Sequence, residues 1–203
     1  MCESIDDKVI ESVKKRGRGT VFSSSEYSHL GEPDSVQKAL SRLVDNGKLL
    51  HICHGIYCYP KVDKELGLGV LYPSYDDIAN AIARRDRIRI FPGAALAQNI
   101  LGLSTQVPLN YVYLTDGAGR KVMVDDGRGI LFKHVSPRKL AFSDRLAMLI
   151  ATALREIGSE DVTAEQCDRI KRILVENHPQ VFSAGDMRLM PLWIRKIVES
   201  AYE

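Results

Sequence analysis

The chain has 203 residues, of which 45% are hydrophobic, and its 28 basic against 26 acidic side chains give a formal charge of +2. That composition suffices for a buried core and excludes wholesale disorder, while the net charge names no partner by itself. Its apolar runs (93–97 and 148–151) are far short of the roughly 20 residues that span a bilayer, residues 1–7 carry acids where an export signal needs lysines, and the four cysteines form no dense disulfide framework. A cytoplasmic globular protein that does not enter membranes is expected. Charge is uneven, with residues 61–150 holding 13 basic and 9 acidic side chains.

In the first sixty residues Ile5, Val9, Ile10 and Val13 recur at helical spacing, with Ser4 as N-cap and Asp6 and Asp7 at the positive end of the dipole. Gly17 and Gly19 break that helix, and Thr20, Val21 and Phe22 form a short β-type run. Ser23 to Ser25 offer caps for a second, short helix ending near Leu30, with Glu26 available for a capping box. A third helix has Pro33 in its first turn and an apolar stripe of Val36, Ala39, Leu40 and Leu43, and Asn46-Gly47 stops it. Its opposite face carries Asp34, Lys38, Ser41, Arg42 and Asp45. Residues 48–60 read as a β-hairpin around a His54-Gly55 turn. Three helices followed by a hairpin is the order of a winged helix-turn-helix, whose third helix enters the major groove. Lys38, Ser41 and Arg42 are then the groove-facing candidates, with His51, His54 and Tyr57 contributed by the wing. A protein-binding adaptor is the competing use of the same module.

Leu66 to Pro73 interrupts the periodicity with glycines and a proline, so 63–73 reads as a linker between a winged helix-turn-helix over 1–62 and a mixed α+β domain over 63–203. Ser74 caps a helix containing Ile78, Ala79, Ile82 and Ala83, and residues 87–91 alternate as a half-buried strand. Residues 93–101 read as a buried helix ended by Gly102. Segments 111–115, 121–124 and 130–135 read as three antiparallel strands, joined by turns at 116–119 and 125–129. From 143 onward the pattern is mainly helical, with helices around Leu146 to Ile157, after Thr163, and over 192–198. The expected fold class is α+β, with a helical C-terminal part.

The run Ala39-Leu40-Ser41-Arg42-Leu43-Val44-Asp45-Asn46-Gly47-Lys48-Leu49, followed by His54-Gly55-Ile56-Tyr57 and Tyr59-Pro60-Lys61, resembles the N-terminal domain of AbiEi-like antitoxins. These belong to bacterial type IV toxin–antitoxin and abortive-infection systems. The likeness continues through Pro73-Ser74, residues 78–86, Leu101-Gly102-Leu103-Ser104-Thr105-Gln106-Val107-Pro108 and residues 112–117, and fades after about residue 160. It implies a non-enzymatic antitoxin that represses its own operon and counters a nucleotidyltransferase toxin, with operator DNA and that toxin as partners, and no cofactor. The chain departs from the family where His51, Cys53 and His54 replace basic residues before the wing glycine, and neutral histidine supplies no counterion release.

Arg84, Arg85, Arg87 and Arg89 form the densest basic cluster, read as a second nucleic-acid or acidic-partner surface, with Arg87 and Arg89 sharing one strand face. The glycine-rich segment 116–120 is read as a hairpin turn in preference to a phosphate cradle, because no P-loop spacing is present. Cys53 and Cys58 flank the wing turn. A two-residue turn would set Cys53 opposite Ile56 and Cys58 opposite His51, whereas a four-residue loop would let the thiols meet. No metal site is expected there. Two further readings stand beside the antitoxin. One is a stand-alone winged-helix regulator whose C-terminal part forms a homodimer or senses a ligand. The other is a nucleic-acid-processing enzyme using the Asp125-Asp126 region and Arg84 to Arg89.

Overall fold

The computed structural model describes residues 4–63, 65, 67–106, 108, 110–124 and 128–203. Asp125 and Asp126, and so the carboxylates of the enzymatic reading, lie outside the described residues. The chain is an α+β protein in two compact units, one comprising Met1–Ile88 with Val122–Ile130 and the other Arg89–Lys121 with Leu131–Glu203.

In the first unit α1 (Ile5–Arg16), β1 (Val21–Ser23), a 3-10 helix (Ser24–Leu30), α2 (Pro33–Asp45), β2 (Leu50–Cys53), β3 (Ile56–Cys58), the hairpin strands β4 (Lys61–Asp63) and β5 (Gly69–Leu71), and α3 (Tyr75–Asp86) follow in order. The start signals act as expected. The Ser4 hydroxyl accepts the Asp7 amide at 3.2 Å, and the Ser74 hydroxyl accepts the Asp77 amide at 3.1 Å. The Glu26 carboxylate accepts the Ser23 amide at 2.9 Å, closing the N-terminus of the 3-10 helix.

Three strands form a sheet in the order β1-β3-β2, with Phe22 opposite Tyr57. All three residues of β1 and all three of β3 are buried. Successive side chains on a strand point to opposite faces, so this sheet is covered on both. On one side Phe22 and Tyr57 join Val9 and Val13 of α1 and Val36, Leu40 and Leu43 of α2. α3 packs against β1 and β3 and buries Ile78, Ala79, Ala81, Ile82 and Ala83. The stretch read as a linker holds β5, and α3 belongs with the first unit. The division at residue 88 thus differs from the one drawn at 62, because the stretch between them pairs β4 with β5 and leads into α3, which packs on the first sheet.

The second unit contributes β6 (Ile90–Pro92), α4 (Ala94–Ile100), β7 (Tyr111–Thr115), a 3-10 turn (Pro137–Leu140), α5 (Arg145–Ile157), α6 (Ala164–Asn177), α7 (Ala184–Leu189) and α8 (Leu192–Glu199). With β8 (Arg120–Met123) and β9 (Gly129–His134), β6 and β7 form a sheet ordered β6-β7-β9-β8. Segment 116–119, expected as a hairpin turn, joins strands that do not pair, because β9 lies between β7 and β8. α4 is half-covered, with Ala97 buried and Ile100 exposed, where a fully buried helix was expected. α5 supplies most of the helical core, burying seven residues from Ala147 to Leu154.

Asp186 is the buried acid of this core, 2% exposed. It accepts the Ser143 amide at 2.7 Å, the Ser143 hydroxyl at 2.6 Å and the Asp144 amide at 3.2 Å, tying the start of α7 to the start of α5. Burial pushes its pKa up, but the hydrogen bonds from Ser143 and Ser183 outweigh it and hold the carboxyl below the usual aspartate range. A carboxyl depressed in the folded state adds stability that is whole above its unfolded pKa and is lost as pH falls through the folded one. Asp186→Asn is therefore expected to cost about 1–3 kcal/mol at pH 7 in urea unfolding and to flatten the loss of stability below about pH 4.

Candidate nucleic-acid interface

The buried stripe of α2 is the one the periodicity marks, Val36, Ala39, Leu40 and Leu43, so the opposite face must be outermost. Lys38, Ser41 and Arg42 all lie exposed on it. Lys38 has no ion-pair partner among the described residues. Arg42 is 57% exposed, but its guanidinium donates to both Asp6 oxygens, at 2.6 and 3.1 Å. That hydrogen bond, opposed by partial desolvation, holds the Asp6 carboxyl below the usual range. The pair joins α1 to α2 and spends part of the positive charge that a phosphate would otherwise meet.

The hairpin turn is the two-residue one, His54-Gly55, with Gly55 at φ 68° in the left-handed region that favours glycine. Both His51 and His54 are exposed. Tyr57 is not available to a ligand. It is 2% exposed, stacks on Phe22 with ring centroids 6.0 Å apart, and its hydroxyl accepts the Gln37 amide at 2.8 Å. The expected contact is lost because the Tyr57 ring packs into the cluster that α1 and α2 form on that side of the sheet.

Cys53 stands opposite Ile56 as the two-residue turn requires, but Cys58 pairs with Leu50 and not His51. A bulge between His51 and Cys53 shifts the register by one residue. Neither cysteine is in a disulfide and both are buried, and burial, reinforced by the Asp77 charge, pushes Cys58 up to about 11. Among the described residues no group of three or more His, Cys, Asp or Glu side chains is placed to hold a metal ion.

The arginine cluster divides. Arg84 donates to the Val21 carbonyl at 3.1 Å, and Arg85 donates to the His54 carbonyl at 2.6 Å while pairing with Asp86 at 2.9 Å. Those two side chains fasten α3 to the sheet and to the β2–β3 turn. Arg87 is the C-cap of α3 at φ 55°, and both Arg87 and Arg89 precede β6, so the two do not share a strand face. Arg89 in the second unit donates to both Asp116 oxygens, at 2.7 and 2.8 Å through side chain and amide, and this holds Asp116 below the usual range. The carboxylate at the head of the glycine-rich segment thus faces a cation, a poor start for a phosphate cradle.

A serine, histidine and aspartate constellation that the sequence reading missed lies at the start of α5. His178 Nε2 sits 3.2 Å from Asp144, but the Ser143 hydroxyl donates to Asp186 and not to the histidine, so no base addresses the hydroxyl. Sequence separations of 34 and 43 residues left no local signal for it.

Two outcomes check this geometry. Tyr57→Phe should lower stability by about 0.5–1.5 kcal/mol, read by thermal unfolding, and leave ligand binding at the α2 face unaltered. Iodoacetamide at pH 8 should label the partly exposed Cys167 in the folded chain and spare Cys58, which mass mapping of the alkylated peptides would show.

No curated protein matches the chain. Among solved structures, the crystal structure of RV2827C protein from Mycobacterium tuberculosis is similar at 14% identity and a TM-score of 0.49, over 98% of this chain and 78% of that one. A family model described as "Family of unknown function (DUF6088)" matches residues 8–181, most of the sequence. The chain belongs to DUF6088, a family of unknown function.

Proposed function

We propose that the first unit is a winged helix-turn-helix that binds operator DNA through the outer face of α2. On this reading the protein is a cytoplasmic, non-enzymatic antitoxin-like repressor of its own operon, which counters a cognate nucleotidyltransferase toxin. The observation that carries the DNA-binding part is the exposed Lys38 and Ser41 on a helix whose opposite face is fully committed to the core. The order helix, strand, helix, helix, hairpin, with β1 closing the sheet beside β3, supports the same reading. The antitoxin role rests on the resemblance carried by segments 39–61 and 101–108.

The structural details refine which residues do the work. Lys38 and Ser41 meet phosphates and base edges directly. Arg42 contributes after exchanging Asp6 for a phosphate, and the exposed His51 and His54 present further contacts from the hairpin. A stand-alone regulator uses the same helix, and the two are separated by whether a neighbouring nucleotidyltransferase becomes tolerable when both are expressed.

A reporter driven by the protein's own upstream region should be repressed by the intact chain and released by Lys38→Ala with Ser41→Ala, at unchanged protein level. Asp6→Asn should act oppositely. It removes a negative charge and frees Arg42, so affinity for the upstream duplex rises severalfold and the salt slope steepens by about one. Equal repression by all three proteins would remove α2 from the interface.

A further inference from the structure

The second unit contains a cavity of about 400 Å³ between one face of its sheet and α5. Val112 and Leu114 of β7 and Leu131 of β9 supply an apolar floor, and Leu131 remains 37% exposed. Strand alternation places Lys133 on the same face as Leu131 and Val135, a cation set into an otherwise apolar surface. Lys139 and Arg155 add two more positive groups, against the single carboxylate of Glu156. None of these four has an ion-pair partner among the described residues. Arg155 donates to the Leu189 carbonyl, which fixes the guanidinium, and desolvation lowers its pKa.

Packing alone does not account for this arrangement. A surface lysine on a solvated strand faces water among polar neighbours, whereas Lys133 stands between Leu131 and Val135. The volume falls in the range of small-molecule sites, which combine apolar walls with a few convergent polar groups. The excess of cations selects the sign of the ligand, and the floor selects an apolar body.

We propose that this cavity binds a small amphipathic organic anion, a carboxylate carried on an apolar body, with Lys133, Lys139 and Arg155 receiving the carboxylate and Val112, Leu114 and Leu131 the body. Lysine and arginine donors make charge-assisted hydrogen bonds to such a group, and the Thr152 hydroxyl at the cavity wall supplies a further donor. The site is separate from α2, so it stands or falls independently of DNA binding.

Octanoate, octanol and octylammonium differ only in the head group and serve as probes in calorimetric titration of the full chain at pH 7.5 and low salt. Octanoate is expected to bind saturably at one site, octylammonium not to bind, and octanol to bind more weakly than octanoate. Lys133→Gln with Lys139→Gln should weaken octanoate by at least about tenfold, since two charge-assisted contacts are lost. Both lysines are exposed, so that variant should melt like the parent chain. Ala95→Trp, at an exposed position on the cavity rim, should abolish binding by filling the space. If it does not fold, the double lysine variant decides alone. Absence of octanoate binding, equal binding of octanoate and octylammonium, or an unaltered affinity in the lysine variant overturns the proposal.

Discussion

The first unit is organised by a three-stranded sheet with water on neither face of β1 and of the central strand β3. Phe22 and Tyr57 pair across β1 and β3 toward α1 and α2, while the alternate residues of the same strands lie under α3. Each buried aromatic of this kind contributes on the order of 2–3 kcal/mol by area, so neither layer is dispensable to a unit this small. α2 is held by four apolar residues against one layer and has no freedom to turn its polar face inward. The same constraint removes Tyr57 from the surface and uses Arg84 and Arg85 to tie the second layer to strand and turn carbonyls.

Charge is spent in the same way. Asp6 takes Arg42, Asp86 takes Arg85 and Asp116 takes Arg89, each as a local or cross-element pair. Such exposed pairs contribute little to stability, since solvent screens them and side-chain entropy opposes them. Their greater effect is on what remains for a ligand. Clusters that look basic in the sequence are largely answered within the fold, whereas Lys38 on α2 and Lys133 and Lys139 beside the cavity have no ion-pair partner among the described residues and leave those surfaces with capacity for an anion.

What the sequence revealed follows from the range of the forces involved. Helix α2, its stripe, its caps and the exposed Lys38 and Ser41 depend on a 3.6-residue period within one segment, and they were legible. The Asp6–Arg42 pair spans 36 residues and left no pattern. Tyr57 was expected at the interface with the rest of the hairpin, but its side chain joins the cluster of Val9, Val13, Leu40 and Leu43 from α1 and α2, contacts too far along the chain for a local pattern to encode. Alternating arginines in 87–91 suggested a strand, but the left-handed cap at Arg87 ends α3 there, and the strand starts only at Ile90. The insertion of β9 between β7 and β8 is a matter of connection, which local periodicity does not encode. α7, six residues long, is too short to show a period at all.

The central claim is that α2 reads DNA, and anisotropy of the full chain on its own upstream duplex and on a scrambled duplex, at about 50 and 200 mM salt, tests it most directly. Tighter binding to the upstream duplex, with affinity falling as salt rises, is the result this account requires. Equal affinity for the two duplexes, or no binding at the lower salt, would contradict it and leave the α2 face to a protein partner.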